Sequence, residues 1–271
     1  MVKPAELSRI RLVACDIDGT LLPEGERALS PRLFELIRRL ADRGIRFTTA
    51  SGRQYACQRR LFAKGPEDMF YICENGAAVF RGTEEISSVS LDRREAVRIA
   101  EYMDSMDQCE ALVSGPRFCY LLENRGDFFS LIRDQVGNDT AQVSRWEDIP
   151  EEIVKVTAFC RDGGDRHLSA LESRWGGEYN VALSGDKWVD ITRASKADGL
   201  RKVCGVLSIS PREVMAFGDN YNDTAILEAA GYAVAMSHSP ERVKALAAKI
   251  CQGRVEDELV RLLDALEGMD L

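Results

Sequence analysis

Histidine is almost missing from this chain of 271 residues: only His167 and His238 occur. A centre built on several imidazoles is therefore not expected, and any metal site should rest on other donors. Cysteine is more plentiful, but the eight residues at 15, 57, 73, 109, 119, 160, 204 and 251 are scattered, with no CxxC pair and no histidine at a zinc spacing. They read as small buried apolar residues of a reducing compartment. No run of about 18 apolar residues occurs, so no membrane span is expected. The N-terminal "MVKPAELSRIRLVACD" has neither the apolar segment nor the cleavage site of a secretory signal, and the expectation is a cytoplasmic protein. Basic clusters are absent too, with 36 Lys and Arg against 44 Asp and Glu and a net charge of -8. A stripe for a polyanion is excluded, and neither nucleic acid nor anionic membrane is an expected partner. No internal repeat and no low-complexity segment interrupts the chain.

What remains is ordinary globular composition, 45% hydrophobic and 30% charged, long enough for one large α/β domain or for a core carrying an insertion of roughly 100 residues. Strand and helix signals alternate from the start. "RLVACDI" reads as a buried strand, and "SPRLFELIRRLADRG" as a helix with Ser30 as N-cap, Pro31 at its first position, Leu33, Leu36, Ile37 and Leu40 on one face, and Gly44 as stop. "IRFTTAS" is a second strand, "GRQYACQRRLFAKG" a short helix for which Ser51 could serve as N-cap, and "MFYIC" a third strand. The pattern βαβαβ predicts a right-handed, mostly parallel sheet with helices on both faces.

The same grammar returns after residue 187 in "KADGLRKVCGVL", "EVMAFGD", "DTAILEAAG", "YAVAM", a helix "SPERVKALAAKI" and a closing helix "VEDELVRLLDALEG". Between residues 83 and 187, helical stretches mix with paired strands such as "ALVSG" and "FCYLL", joined by a turn at Gly115 and Pro116. The expected organisation is a discontinuous core, 1–82 and 188–271, with an inserted α+β domain over 83–187. Phe80 and Trp188, near the junctions, read as hinge packing.

Chemistry gathers at the strand ends, where an open parallel sheet binds its ligands. "RLVACDIDGTLLPEG" ends an apolar strand in Asp16 and Asp18, which on a strand would share a face while Cys15 and Ile17 point away. Two like charges so close need a cation between them or a retained proton. The second strand delivers Ser51, Gly52 and Arg53, and "EVMAFGDNYND" delivers Asp219, Asn222 and Asp223. Converging carboxylates suit a hard divalent cation, and Mg2+, which often binds through one or two carboxylates and a substrate phosphate, fits better than zinc. Ser51 and Lys196 would supply donors for phosphate oxygens.

The chain resembles the haloacid dehalogenase superfamily of phosphohydrolases, Cof-type branch, through "DIDGTLL" at 16–22, "SGR" at 51–53, "ENGA" at 74–77, "SK" at 195–196 and "GDNYND" at 218–223, in that order. The resemblance implies a Rossmann-like, doubly wound parallel core with an inserted α+β cap that would hold the specificity. It implies an Mg2+-dependent phosphomonoester hydrolase of small phosphorylated metabolites, a sugar phosphate or a phosphorylated cofactor. Asp16 would be the nucleophile that forms an aspartyl-phosphate, and Asp18 the acid and base. Asp16, the Asp18 carbonyl and Asp219 would hold the metal. Gly19, Thr20, Ser51, Gly52, Arg53, Lys196 and Asn222 would cradle the phosphate or substrate, with Asp223 and Asn75 orienting them. Gly19 would permit the sharp turn that wraps amides around phosphate. The sequence also departs from the family pattern, with Ser51 where threonine is common and "CQGRVEDEL" where an Asn-Asp-rich loop is usual. A dehalogenase would not need Asp18; a phosphomutase would use both aspartates, and a phosphate or metal sensor would need no full catalytic set.

Overall fold

The structure, a computed structural model, describes residues 7–268, and the stretch read for a secretory signal begins outside them. Among the described residues the chain first forms β1 (Leu12–Cys15), β2 (Arg46–Ala50), β3 (Phe70–Cys73), β4 (Ala78–Arg81) and β5 (Glu84–Ser88). Then come β6 (Cys109–Ser114), β7 (Cys119–Leu122), β8 (Thr140–Val143), β9 (Lys155–Cys160), β10 (Asn180–Gly185) and β11 (Trp188–Thr192), and finally β12 (Val214–Gly218), β13 (Tyr232–Met236) and β14 (Lys249–Cys251).

Two sheets result. The first has the order β14-β13-β12-β1-β2-β3-β4-β5, parallel from β14 to β3 and antiparallel over its last two pairings. The second, β10-β11-β9-β6-β7-β8, is antiparallel except between β7 and β8. The central strands of the first sheet are short and buried on both faces, which is why they read as unbroken apolar runs.

Apolar layers cover both faces of that sheet, one containing Val13, Ile17, Leu36, Ile37, Leu40 and Leu259, the other Leu12, Ala14, Leu200, Val203 and Val214. The helix Pro31–Asp42 begins as its sequence predicts: Ser30 Oγ accepts from Leu33 N, Pro31 opens the first turn, and Leu33, Phe34, Leu36, Ile37 and Leu40 are buried. The helix Lys196–Leu207 is fixed by a reciprocal capping box between Ser195 and Asp198, which places Lys196 at its first position.

Four expectations need correction. The junctions at 82/83 and 187/188 each fall one strand early: β5 completes a hairpin with β4 in the first sheet, and β11 pairs with β9 and β10 in the second. β5, "EEISS", is a half-exposed edge strand and lacks the apolar signature of its neighbours. β1 stops at Cys15, so Asp16, Ile17 and Asp18 lie in the turn that follows it rather than on its face. The run "SPERVKALAAKI" is not one helix; only Glu241–Lys244 is helical, and "KIC" pairs with β13 as the edge strand β14. Ser51 does not cap the next helix, which spans Tyr55–Leu61 behind Gln54; its Oγ accepts instead from Arg53 N at 3.1 Å.

The pairing near residue 115 matches its reading, with Gly115 N donating to Phe118 O across the β6–β7 turn. Phe80 stacks on Tyr55 at 4.1 Å within the first unit while Arg117 of the second lies over its ring. Trp188 packs on Phe159 inside the second unit.

Candidate active site

The carboxyl ends of β1 and β12 lie side by side, since Leu12–Cys15 pairs in register with Val214–Phe217. Asp16 and Asp219 therefore leave adjacent strands at one level. Carboxylate oxygens of Asp16, Asp219 and Asp223 fall within 4.8 Å of one another. Lys196, fully buried, sets its Nζ 2.6 Å from Asp16 Oδ1 and 2.6 Å from Asp223 Oδ1. Asp223 Oδ2 accepts from the amides of Asp219 and Asn220, locking the loop. Thr20, expected to face a phosphate, donates its Oγ1 to Asp219 Oδ1 at 2.9 Å instead.

The electrostatics follow from burial. Loss of water pushes the Asp16 carboxyl well up; Lys196 opposes this, while Asp223, Asp219 and Asp18 reinforce it. Burial and then Asp223 raise Asp219 as well. Burial would lower the Lys196 ammonium, but Asp16 and Asp223 outweigh it and hold the proton more firmly than on a free lysine. Three carboxylates around one ammonium leave an excess of negative charge, and an all-oxygen donor set of this kind fits Mg2+. The turn is also built for close approach: Gly19 has φ +78°, and a Cβ there would overlap the Asp219 carboxylate.

Asp18 stands apart from this trio. Arg53 binds it through both oxygens, Nη2 to Oδ1 at 2.6 Å and Nε to Oδ2 at 2.8 Å, with more than half of the Asp18 side chain exposed. Arg53, read as a substrate contact, is thus engaged by Asp18. It also borders a cleft of about 700 Å3 lined by loops and helices, shared by Cys57 and Arg60 of the first unit and by Asp134, Val136 and Gly137 of the second. Cys15 is buried in the core and desolvation drives its thiol well up, so it is no nucleophile.

A second polar cluster escaped the sequence reading. Lys155 of β9 donates to Gly52 O at 2.8 Å and lies 2.6 Å from Glu74 Oε2 and 3.6 Å from Asp190 Oδ2. Asp190 of β11 also accepts from Thr157 Oγ1 and from Asn75 Nδ2, both at 2.6 Å, and Asn75 Oδ1 accepts from Asn222 Nδ2 at 3.2 Å. Asn75 thus joins the first unit to the second through Asp190, and Asn222 holds its side-chain carbonyl from the first unit. The cluster bears on the loop carrying Ser51 and Gly52, and Glu74 and Asn75 adopt positive φ, 51° and 55°, to reach it. The signal available in sequence was a lysine and an aspartate inside strands otherwise apolar or small.

The haloacid dehalogenase-like hydrolase family profile matches residues 13–263. The chain belongs to the haloacid dehalogenase-like hydrolases. Within that family it is a Cof-type phosphatase. It is 24% identical over 241 residues, 88% of this chain and 89% of the relative, to the 5-amino-6-(5-phospho-D-ribitylamino)uracil phosphatase YbjI of Escherichia coli. It is 29% identical over 241 residues, 87% and 88% of the two chains, to a phosphoglycolate phosphatase of Methanopyrus kandleri. A crystal structure from Eubacterium rectale superposes with a TM-score of 0.80 at 28% identity, covering 96% of this chain and 99% of that one. The overall fold, core and second sheet together, is therefore shared with that structure over nearly the whole of both chains. No helix among the described residues is long and apolar enough to cross a membrane.

Proposed function

We propose that this phosphatase hydrolyses phosphomonoesters of small metabolites, sugar phosphates or phosphorylated cofactors, in an Mg2+-dependent reaction through an aspartyl-phosphate on Asp16. The observation that carries the reading is the convergence of Asp16, Asp219 and Asp223, the first and last of them paired with the buried Lys196. The relatives named for ribitylaminouracil-phosphate and phosphoglycolate hydrolysis support a small, polar leaving group.

The Asp16 carboxylate, the Asp18 carbonyl and Asp219 would hold Mg2+, which when bound offsets the charge of the carboxylates and the phosphate. The Asp16 carboxylate attacks phosphorus in line, the bond from phosphorus to the alcohol oxygen breaks, and Asp18 donates its proton to that oxygen. Asp18 then takes a proton from the water that cleaves the acyl phosphate, returning Asp16 and releasing phosphate. Lys196 and Ser51 stabilise the transferring group, with Gly52 and Asn222 at the edge of its cradle. Asp223 and Asn75 act by position, one holding Lys196 and the loop amides, the other tying Asn222 to Asp190. Arg53 orients Asp18 from the rim of the cleft. The six-stranded unit acts as the cap, excluding water and reading the leaving group.

A panel of phosphorylated metabolites tests this by phosphate release with Mg2+, with chelator, and after Mg2+ is restored. Release that depends on Mg2+ supports the reading; turnover unchanged after chelation and dialysis contradicts it.

A further inference from the structure

The fold sets one pair of the scattered cysteines face to face. Cys109 opens β6, Cys160 ends β9, and the two are direct partners in the antiparallel register with Sγ atoms 3.2 Å apart. Beside them Arg161 N donates to Gln108 O, while Cys160 N turns the other way to Lys187 O. The pair is therefore of the non-hydrogen-bonded kind, in which opposite side chains come closest. His167, in the first turn of the helix Asp165–Trp175, brings a ring nitrogen within 4.8 Å of both sulfurs. Its Nε2 lies 2.9 Å from Asp162 Oδ1. Both cysteines are buried and His167 is half-buried, so the trio has one side toward solvent.

We propose that Cys109, Cys160 and His167 form a second metal site, selective for Zn2+ or a similarly thiophilic divalent ion, with Asp162 fixing the imidazole. Two thiolates and one imidazole are a donor set that Zn2+ prefers, whereas the carboxylates around Asp16 offer only the hard oxygens that suit Mg2+. Two thiolate charges cancel those of the dication, so a neutral centre is buried and the desolvation cost of a lone ion is avoided. On binding, both S–H bonds break, two S–Zn bonds and one N–Zn bond form, and two protons leave for solvent. A Zn–S length of about 2.3 Å requires the sulfurs to part to about 3.8 Å in tetrahedral geometry, a movement of a few tenths of an ångström for each side chain. Three protein ligands leave the fourth position to water on the open side. The carboxylate on His167 matches the support that ligating histidines commonly have.

The test is a Co2+ titration of the full chain, reduced and stripped of metal, because cobalt thiolates show a near-ultraviolet charge-transfer band that cobalt carboxylates lack. One equivalent of Co2+ should raise the band, Zn2+ should abolish it, and excess Mg2+ should leave it unchanged. Cys160→Ser should remove it. His167→Ala, at a half-buried helix position that spares the sheet, should weaken binding at least about tenfold, and Asp162→Asn about tenfold; circular dichroism verifies that each variant is folded. The proposal is overturned if the reduced wild type shows no band at stoichiometric Co2+, if His167→Ala binds as tightly as wild type, or if the pair only oxidises to a disulfide and takes up no metal.

Discussion

Arg53 grips Asp18 by both carboxylate oxygens, at 2.6 and 2.8 Å, while Lys196 holds Asp16 at 2.6 Å. The two aspartates are thus partnered separately, one with a guanidinium at the mouth of the cleft and one with a buried ammonium. A planar fork fixes a carboxylate in direction as well as distance, which a lysine does not. Arg53→Lys should therefore lower kcat for an alkyl phosphate by about tenfold and Arg53→Ala by more, within the 10²–10⁴ that general acid catalysis supplies. An aryl phosphate, whose leaving group needs little protonation, should be affected less. Steady-state kinetics on both substrates check this, and equal losses would detach Arg53 from Asp18.

Gly19→Ala should damage the metal site. Its φ of +78° disfavours alanine, and the new Cβ would overlap the Asp219 carboxylate. Apparent Mg2+ affinity, measured from activity against Mg2+ concentration, should fall by at least about tenfold, the scale on which displaced ligand supports act. Wild-type Mg2+ dependence in this variant would show that Asp219 is not a ligand.

The pH dependence of the Mg2+-free protein carries a defined sign. Burial raises the Asp16 carboxyl, Lys196 opposes it, and neighbouring carboxylates add to it. A group that binds its proton more tightly when folded contributes stability below its unfolded value, about 4 for a carboxyl, and loses that contribution as pH rises through the raised folded value. Asp16→Asn, which does not ionise, should therefore gain on wild type as pH goes from about 4 to 8, and Mg2+ should narrow the gap. Urea denaturation with chelator across that range measures it, and a gap that stays constant or closes toward high pH would contradict the electrostatics.

That Asp16, Asp219, Asp223 and Lys196 come together was legible in the sequence, because a parallel sheet collects its strand ends and a short motif marks each one. The direction of Asp18 was not legible, since β1 stops at Cys15 and the alternation of a strand no longer applies to the turn. The unit edges were misplaced because β5 is a polar edge strand, and β14 was hidden in a run with helical periodicity. Lys155, Glu74 and Asp190 meet only through the docking of β9 and β11 on the Ser51 loop, and no spacing along the chain announces that contact. The same holds for Cys109, Cys160 and His167, which strand register brings together.

The central claim is that Asp16 carries the phosphoryl group, and rapid-quench trapping tests it most directly. With Mg2+ and a phosphate-labelled substrate, wild type should accumulate acid-stable, hydroxylamine-sensitive label on Asp16. Asp18→Asn should retain that label longer with a good leaving group, because activation of water is lost while the nucleophile remains. Asp16→Asn should carry none, and its turnover should fall by several orders of magnitude toward the slow uncatalysed rate of phosphate monoesters. Label on Asp16→Asn at the wild-type level would contradict the account.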